Sequence, residues 1–267
     1  MAVAAKAEGR RCVFITGAAS GIGLAAAKRF AAEGFFVGIA DIDQPGAKAA
    51  LAEIGPGNGV VLNLDVRKRP EWDKALAAFA KASGGRLDLL VNNAGIARFG
   101  WLEEQSEADL DLQIDINVKG VIHGARAALD LLRATPGSRL INIASCAGLF
   151  GSPQMSIYAA TKFAVRGLSQ ALDAEFARFG VGVACVMPWF VETPILDAGA
   201  ERSNRTIRDA VKDGGHVVYT PQDAAQVIWE ASQGQALEYI VGDRGKQVRF
   251  MTRFFPNLIR KQMKRAL

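Results

Sequence analysis

The sequence is poor in the residues that build metal centres and disulfide scaffolds, with 3 cysteines and 2 histidines in 267 residues. Cys12, Cys146 and Cys185 are an odd set without ligand spacing, which argues against a disulfide framework or a zinc ribbon. His123 and His216 stand far apart, so no metal site is expected. Cys12 and Cys185 lie in apolar runs and read as small buried hydrophobes. Cys146 has no histidine base set beside it by the sequence, so it reads as packing rather than as a nucleophile. No apolar run approaches the ~20 residues of a membrane span. The opening MAVAAKAEGRR has no apolar core ahead of its charges, which speaks against a secretory signal. The expected setting is cytoplasmic.

Acids are missing from one stretch. From Arg244 to Leu267 there are eight Lys and Arg and no Asp or Glu, so the whole-chain charge of +5 less these eight leaves residues 1–243 at −3. A nucleic-acid partner, which a pI near 9.2 would raise, is therefore not expected. The basic character belongs to a tail.

What the chain has in abundance is short apolar runs, at 12–16, 36–41, 60–64, 88–91, 138–144, 181–187 and 237–241. They are continuous rather than alternating, as strands covered on both faces must be. Between them lie stretches of helical spacing near 21–33, 45–53, 70–83, 106–133, 158–179 and 221–233. Gly34 and Gly180 stand where C-terminal caps would fall, and Thr220-Pro221-Gln222-Asp223 reads as a helix start. The alternation predicts an α/β fold, a Rossmann-type doubly wound parallel seven-stranded sheet with helices on both faces. The expected organisation is a flexible N-terminus over 1–10, a dinucleotide-binding catalytic domain over 11–243 and a basic amphipathic extension over 244–267.

Directly after the first strand comes Thr16-Gly17-Ala18-Ala19-Ser20-Gly21-Ile22-Gly23. A strand, a glycine turn and a helix start aim backbone N–H groups and a positive helix end at a pyrophosphate. In this reading Gly17 allows the turn, Gly21 lets phosphates approach and Gly23 lets helix and strand pack closely. The second strand ends in Asp41, an acid placed to accept from ribose hydroxyls and to repel a 2′-phosphate, which favours NAD over NADP. Tyr158 and Lys162 lie one helical turn apart on a common face. Ser145 follows the fifth strand and Asn92-Asn93-Ala94-Gly95 the fourth, both at the carboxyl edge where such sheets bind ligands. Asn117 lies within a long helix candidate.

These motifs, TGAASGIG (16–23), Asp65-Val66, NNAG (92–95), Asn117, Ser145 and YAATK (158–162), resemble in order and spacing those of the short-chain dehydrogenases/reductases of the compact, single-domain type. The resemblance spans about residues 10–243 and implies an NAD-dependent alcohol dehydrogenase or ketoreductase. It implies Tyr158 as the acid/base, with a pKa brought down from about 10 by Lys162 and the oxidised nicotinamide. Ser145 would bind the reacting oxygen, Lys162 would hold the nicotinamide ribose, and Asn117 would anchor a water that relays protons. The resemblance places the cofactor along Gly17, Ser20, Gly21, Ile22, Gly23 and Asp41, with Asp65 and Val66 at the adenine. Asn93, Ala94 and Gly95 would line the groove, and Pro188, Val191 and Thr193 would stand at the nicotinamide end. One departure is Trp189, where the family has glycine after Pro188. A Trp cannot serve there if the turn needs positive φ, and its indole reads either as a wall of the substrate cleft or as ordinary packing.

Candidate substrate walls are Ile96, Arg98 and Phe99, then Ala147 to Phe150 including Leu149, then Met155, Trp189, Phe190, Ile195 and Leu196. The set is large and apolar and points to a small-molecule partner, a bulky hydrophobic alcohol or ketone (aromatic, steroid-like, terpenoid or lipid), while Arg98 leaves a carboxylate-bearing substrate open. The polar segment 194–219 resembles the family's substrate loop. In the extension, Phe254, Phe255, Leu258, Ile259, Met263 and Leu267 fall near helical spacing, with Pro256 opening the helix. Such a tail can lie on an anionic membrane surface, pack on a partner subunit or cap the cleft. The resemblance also implies a homodimer or homotetramer through the helices at 106–133 and 158–179. A non-catalytic dinucleotide sensor or scaffold on the same fold is the alternative function. A ketoreductase acting on an acyl carrier protein is disfavoured by Asp41 and by the basic extension.

Overall fold

Continuous apolar strands need a cover on both faces, and the computed structural model, which describes residues 6–265, supplies two. The strands are β1 (Cys12–Thr16), β2 (Phe36–Asp41), β3 (Gly59–Asn63), β4 (Leu89–Asn92), β5 (Arg139–Ile143), β6 (Gly182–Pro188) and β7 (Glu238–Val241). They form one parallel sheet in the order β3-β2-β1-β4-β5-β6-β7. The helices are α1 (Gly21–Ala32), α2 (Gln44–Ile54), α3 (Arg69–Ser83), α4 (Glu107–Ile114), α5 (Gly120–Arg133), α6 (Ser156–Ala177), α7 (Ile207–Asp213), α8 (Pro221–Gln233), α9 (Asp243–Phe254) and α10 (Pro256–Arg265).

Alternate residues of each strand enter different cores. Val13 and Ile15 of β1 join Val37, Ile39 and Val91 in a core closed by α1, α2 and α8. Cys12 and Phe14 join Phe36, Leu90, Trp72 and Phe79 in the core under α3, α5 and α6. Phe14 stacks on Trp72 at 5.9 Å and meets the edge of Phe79 at 5.4 Å. Every position of β1 is therefore shielded because neither face meets water.

The helix ends follow their local chemistry. Thr220 and Asp223 bond reciprocally at the start of α8, backbone N–H to side-chain oxygen, at 3.1 and 2.8 Å. Pro256 opens α10. A separate helix, α9, precedes it, which the apolar spacing of the tail does not signal. The helix expected unbroken over 106–133 is instead α4 and α5 joined by a π turn at Asp115–Lys119. Such a turn inserts one extra residue and rotates the next helix relative to the last, and here it carries Asn117. The first described residues are docked rather than loose. Ala7 is buried and its N–H donates to Ala82 O at 3.0 Å, while the Arg10 guanidinium reaches Asn58 Oδ1 at 3.0 Å. The rest of the N-terminal stretch, 1–5, lies outside the described residues, as does Leu267.

The strand order reverses between β1 and β4. Loops leaving their carboxyl ends must part there, which opens a crevice.

Candidate active site

One side of the crevice is the glycine turn after β1. Gly17 has φ +65°, and a Cβ on it would lie 2.9 Å from Ala94 Cα. A Cβ on Gly23 would lie 2.1 Å from the Gly17 carbonyl oxygen and 2.6 Å from Asn93 Nδ2. The start of α1 and the β4 loop close on each other only because both positions lack side chains. Thr16 pins the two strand ends together. Its Oγ1 accepts from the N–H groups of Asn93 and Ala94, both at 3.0 Å, and Asn93 Nδ2 donates back to Thr16 O at 2.8 Å. The Asn93 amide is thus a staple, while Asn93, Ala94 and Gly95 together line the cavity. Ser20 makes no side-chain cap bond at the start of α1, so its hydroxyl and the first N–H groups of the helix remain available to an anion.

Asp41 does more than face the groove. Its carboxylate accepts from Ala19 N–H and from Asp43 N–H, both at 2.9 Å, and so ties the end of β2 to the glycine turn. Further along, Asp65 accepts a forked contact from the Arg67 guanidinium at 2.7–3.1 Å. That hydrogen bond holds the Asp65 carboxyl below its ordinary range. Gly17, Ser20, Gly21, Ile22, Asp41, Asp65 and Val66 all border one cavity of about 600 Å³. Gly23 lies behind its wall, where its role is close packing rather than cofactor contact.

Ser145, Tyr158 and Lys162 border the same cavity, with Pro188, Val191 and Thr193. Ser145 leaves the end of β5, and Tyr158 and Lys162 project from α6, where Lys162 Nζ lies 5.6 Å from the Tyr158 ring centroid. Lys162 Nζ donates to Ile143 O at 3.0 Å. Burial pushes the Lys162 ammonium down to about 8 and the Tyr158 hydroxyl up to about 12, the Ser145 hydroxyl drawing the latter back. Desolvation of the phenolate outweighs the Ser145 hydrogen bond, so the chain alone does not bring Tyr158 down.

Asn117 is not at the cavity. It is fully buried, its Oδ1 accepting from Ile96 N–H and its Nδ2 donating to Ile96 O, both at 2.9 Å, and to Thr161 Oγ1 at 3.1 Å. Both ends of the amide clamp the β4 loop against α6. The side chain thus positions the Gly95–Ala97 wall, and it does so next to Lys162: a Cβ on Gly95 would lie 3.2 Å from Asn117 Oδ1 and 3.4 Å from Lys162 Nζ.

Of the expected substrate residues, Arg98, Phe150, Met155, Trp189, Phe190 and Leu196 line the cavity. Phe99 and Leu149 do not. Phe99 packs with Met155 and Leu196 behind the wall, and Leu149 is buried with Val165 and Ile240. Trp189 has no positive φ, so the backbone there does not need the family glycine. Its indole meets Phe190 at 5.3 Å and His216 at 5.9 Å, edge to face, and forms part of the wall. Cys146 is buried, donates to Met187 O at 3.4 Å and is pushed up to about 12 by burial, in keeping with packing.

Arg98 is not a free cation. Its Nε donates to Asp109 Oδ1 at 2.7 Å, and Asp109 Oδ2 accepts from Glu201 N–H at 3.0 Å. Burial would raise the Asp109 carboxyl, but these hydrogen bonds outweigh it and hold it below its ordinary value. A carboxylate-bearing substrate would therefore meet a guanidinium already paired with Asp109.

The segment 194–219 is packed down over the cavity by Leu196, Ile207 and Val211, all buried. Arg208 of α7 grips Glu192 with two bonds at 3.0 and 2.7 Å and Asp197 with two at 2.5 and 3.3 Å. Arg208→Gln removes the clasp while leaving the cavity wall intact. The expected outcome is a KM raised about threefold to tenfold with kcat little changed. Steady-state kinetics beside limited proteolysis at 194–219 checks it, and an unchanged KM with unchanged cleavage would refute the clasp.

Sequence reasoning missed Thr16, Arg67, Asp109 and Arg208. Their partners are set by the tertiary fold, and only the proximity of Arg67 to Asp65 carried a local signal.

With this geometry established, comparison with known proteins is informative. Residues 11–204 match the family model described as short chain dehydrogenase. A 2,5-dichloro-2,5-cyclohexadiene-1,4-diol dehydrogenase of Sphingobium indicum is 39% identical over 187 residues, covering 69% of this chain and 74% of that protein. A 3-oxoacyl-[acyl-carrier-protein] reductase of Thermotoga maritima is 32% identical, covering 88% and 94%. Among solved structures, a short chain dehydrogenase/reductase from Burkholderia phymatum in complex with NAD superposes with a TM-score of 0.83 at 27% identity, covering 93% and 95%. A 3-ketoacyl-(acyl-carrier-protein) reductase from Brucella melitensis complexed with NADH gives 0.77 at 30% identity, covering 88% and 98%. The fold, the glycine turn and the Ser145–Tyr158–Lys162 edge thus agree with the match in placing this chain in the short-chain dehydrogenase/reductase family of oxidoreductases, to which it belongs.

Proposed function

We propose that the protein transfers a hydride between NAD(H) and a hydrophobic secondary alcohol or ketone, with Tyr158 as the acid/base. The observation that carries this reading is the single cavity that has Asp41 and the glycine turn at one end and Ser145, Tyr158 and Lys162 at the other. The residues fit a dinucleotide. A Cβ on Gly21 would lie 3.1 Å from Thr193 Cγ2, and one on Gly95 would fall 3.4 Å from Lys162 Nζ, so a side chain at either position would crowd the cradle. The turn from Gly17 to Ile22 would hold the pyrophosphate, Asp41 the adenosine ribose, and Asp65 and Val66 the adenine. Asn93, Ala94 and Gly95 would line the middle, with Lys162 on the nicotinamide ribose and Pro188, Val191 and Thr193 about the carboxamide. When bound, NAD supplies the hydride acceptor and a positive ring.

The chain's own residues do the rest. Ser145 donates a hydrogen bond to the substrate oxygen and fixes the carbon to be oxidised. Tyr158 takes the hydroxyl proton, and Lys162 steadies the phenolate against the burial that opposes it. Asn117 keeps the opposite wall in place through Ile96.

The cofactor choice rests on charge. Asp41 faces the groove as a carboxylate, and Arg67, the one guanidinium near the adenine end among the described residues, is committed to Asp65. The related structures that hold NAD and NADH support the same choice. The apolar walls, and the relative that acts on a chlorinated cyclic diol, support a ring-bearing or similarly bulky substrate. Ile114 of α4 and Phe163 of α6 are exposed apolar side chains on the helices through which we propose that a homodimer or homotetramer forms.

NADH absorbance across a series of secondary alcohols tests the proposal. The expected kcat/KM rises about fourfold per added methylene until the cavity is full, and NAD is preferred over NADP by about 10²-fold. Preference for small polyols, or for NADP, would contradict the reading.

A further inference from the structure

Beyond β7 the chain holds one acid, Asp243, against eight Lys and Arg. It also exposes large apolar side chains there: Phe250, Phe254, Phe255 and Leu258 are 45–58% accessible. The Phe250 ring lies 4.8 Å from that of Phe254 and 6.2 Å from that of Phe255, so the three make one patch. Four-residue spacing sets Lys246, Phe250 and Phe254 on one stripe of α9, and the Arg253 guanidinium lies 5.8 Å from the Phe254 ring. In α10, Ile259 and Met263 are half-buried, while Leu258, Arg260, Lys261 and Lys264 stay exposed.

The three settings open to this tail separate on these facts. No described residue beyond Ile207 lines the cavity, so the arm does not cap the cleft. Lysine is depleted from the cores of protein interfaces, yet Lys246, Lys261 and Lys264 flank the aromatics on both sides, and a second copy would bring the same positive charges. A lipid surface suits both features, since aromatic rings sit at headgroup level while Lys and Arg stems extend to anionic headgroups. No described helix is long and apolar enough to cross a membrane.

We propose that α9 and α10 form an interfacial anchor that lies on an anionic lipid surface. The arm begins behind the cavity's outer wall: a Cβ on Gly245 would lie 2.7 Å from Cys146 Sγ and 4.0 Å from Trp189 Cβ. The anchor therefore holds the substrate end of the cavity beside the bilayer, where a hydrophobic alcohol or ketone is concentrated. This purpose rests on the activity proposed above; the binding itself does not.

Full-length protein is sedimented with vesicles of phosphatidylcholine alone or with about one third phosphatidylglycerol. The expected result is pelleting with the anionic vesicles only, reversed in about 0.5 M salt. The pair Phe250→Ser and Phe254→Ser lowers the partition at least about tenfold, with turnover of a soluble secondary alcohol unchanged. Lys246→Glu with Arg253→Glu, which leaves the aromatics in place, gives the same loss. No pelleting of the native chain, equal pelleting with both vesicles, or normal pelleting of the variants would overturn the proposal. So would a smaller sedimentation coefficient of the Phe variant in lipid-free solution, which would assign the patch to a second copy. Vesicle binding by a chain that turns over no alcohol would support the anchor and overturn the proposed activity.

Discussion

Tyr158→Phe is expected to lower turnover by about 10³-fold, the usual worth of a positioned acid/base. NAD affinity is expected to stay within about twofold, because the ring remains and only the proton-bearing oxygen is lost. The structure explains why so much rests on this oxygen. The hydroxyl opens onto the cavity beside Ser145, and burial of the phenolate would otherwise place its pKa at about 12. Lys162, pushed down to about 8, is the one ammonium at that end of the cavity among the described residues. Alcohol oxidation needs Tyr158 deprotonated, so its kcat/KM is expected to rise with pH. Ketone reduction needs the protonated form and is expected to fall as pH rises. Stopped-flow NADH formation with wild type and variant, beside NAD titration, checks both points. A variant that retains turnover would remove Tyr158 from the mechanism, and one that also loses NAD would show that the substitution disturbed the groove.

Gly23→Ala is the second large effect. A single methyl would have to occupy space 2.1 Å from the Gly17 carbonyl oxygen and 2.6 Å from Asn93 Nδ2. Neither neighbour is the free end of a flexible chain: one is backbone, and the other is held by hydrogen bonds to Thr16 and Gly17. The clash must push α1 off the β4 loop. Overpacking of this kind costs about 3 kcal/mol, or a fall in Tm of about 5–10 °C for a chain of this length. The same shift spoils the turn that would receive the pyrophosphate, so added NAD should no longer raise Tm. Calorimetry with and without NAD reads both quantities. A variant with native Tm and a native response to NAD would show that this contact is not what holds the turn.

The legible and illegible parts of the molecule divide along one line. The strands were readable because burial on both faces makes them continuously apolar, as Cys12–Thr16 shows with two cores served by alternate residues. The motifs were readable because most of them stand at the carboxyl end of a strand that the apolar pattern already marks. Side-chain direction in the loops was not. Arg98 and Phe99 are adjacent, yet one lines the cavity and the other lies behind it, and no periodicity governs a loop. The commitments of Asn117 to Ile96 and of Arg98 to Asp109 depend on a π turn and on helix placement, which arise only in the folded chain. The tail's helix α9 has a polar average and aromatic residues on its exposed side, so apolar spacing could not locate its start at Asp243.

The central claim is that this cavity moves hydride and does not merely hold a dinucleotide. The most direct test mixes the protein with NAD and a hydrophobic secondary alcohol deuterated at the carbinol carbon, then measures deuterium in the NADH by mass spectrometry. Deuterium is expected in the NADH formed by wild type and is expected to be nearly absent with Tyr158→Phe at the same NAD occupancy. NAD bound tightly by wild type, with no deuterium transferred from any alcohol of the series, would contradict the account and leave a sensor or scaffold in its place.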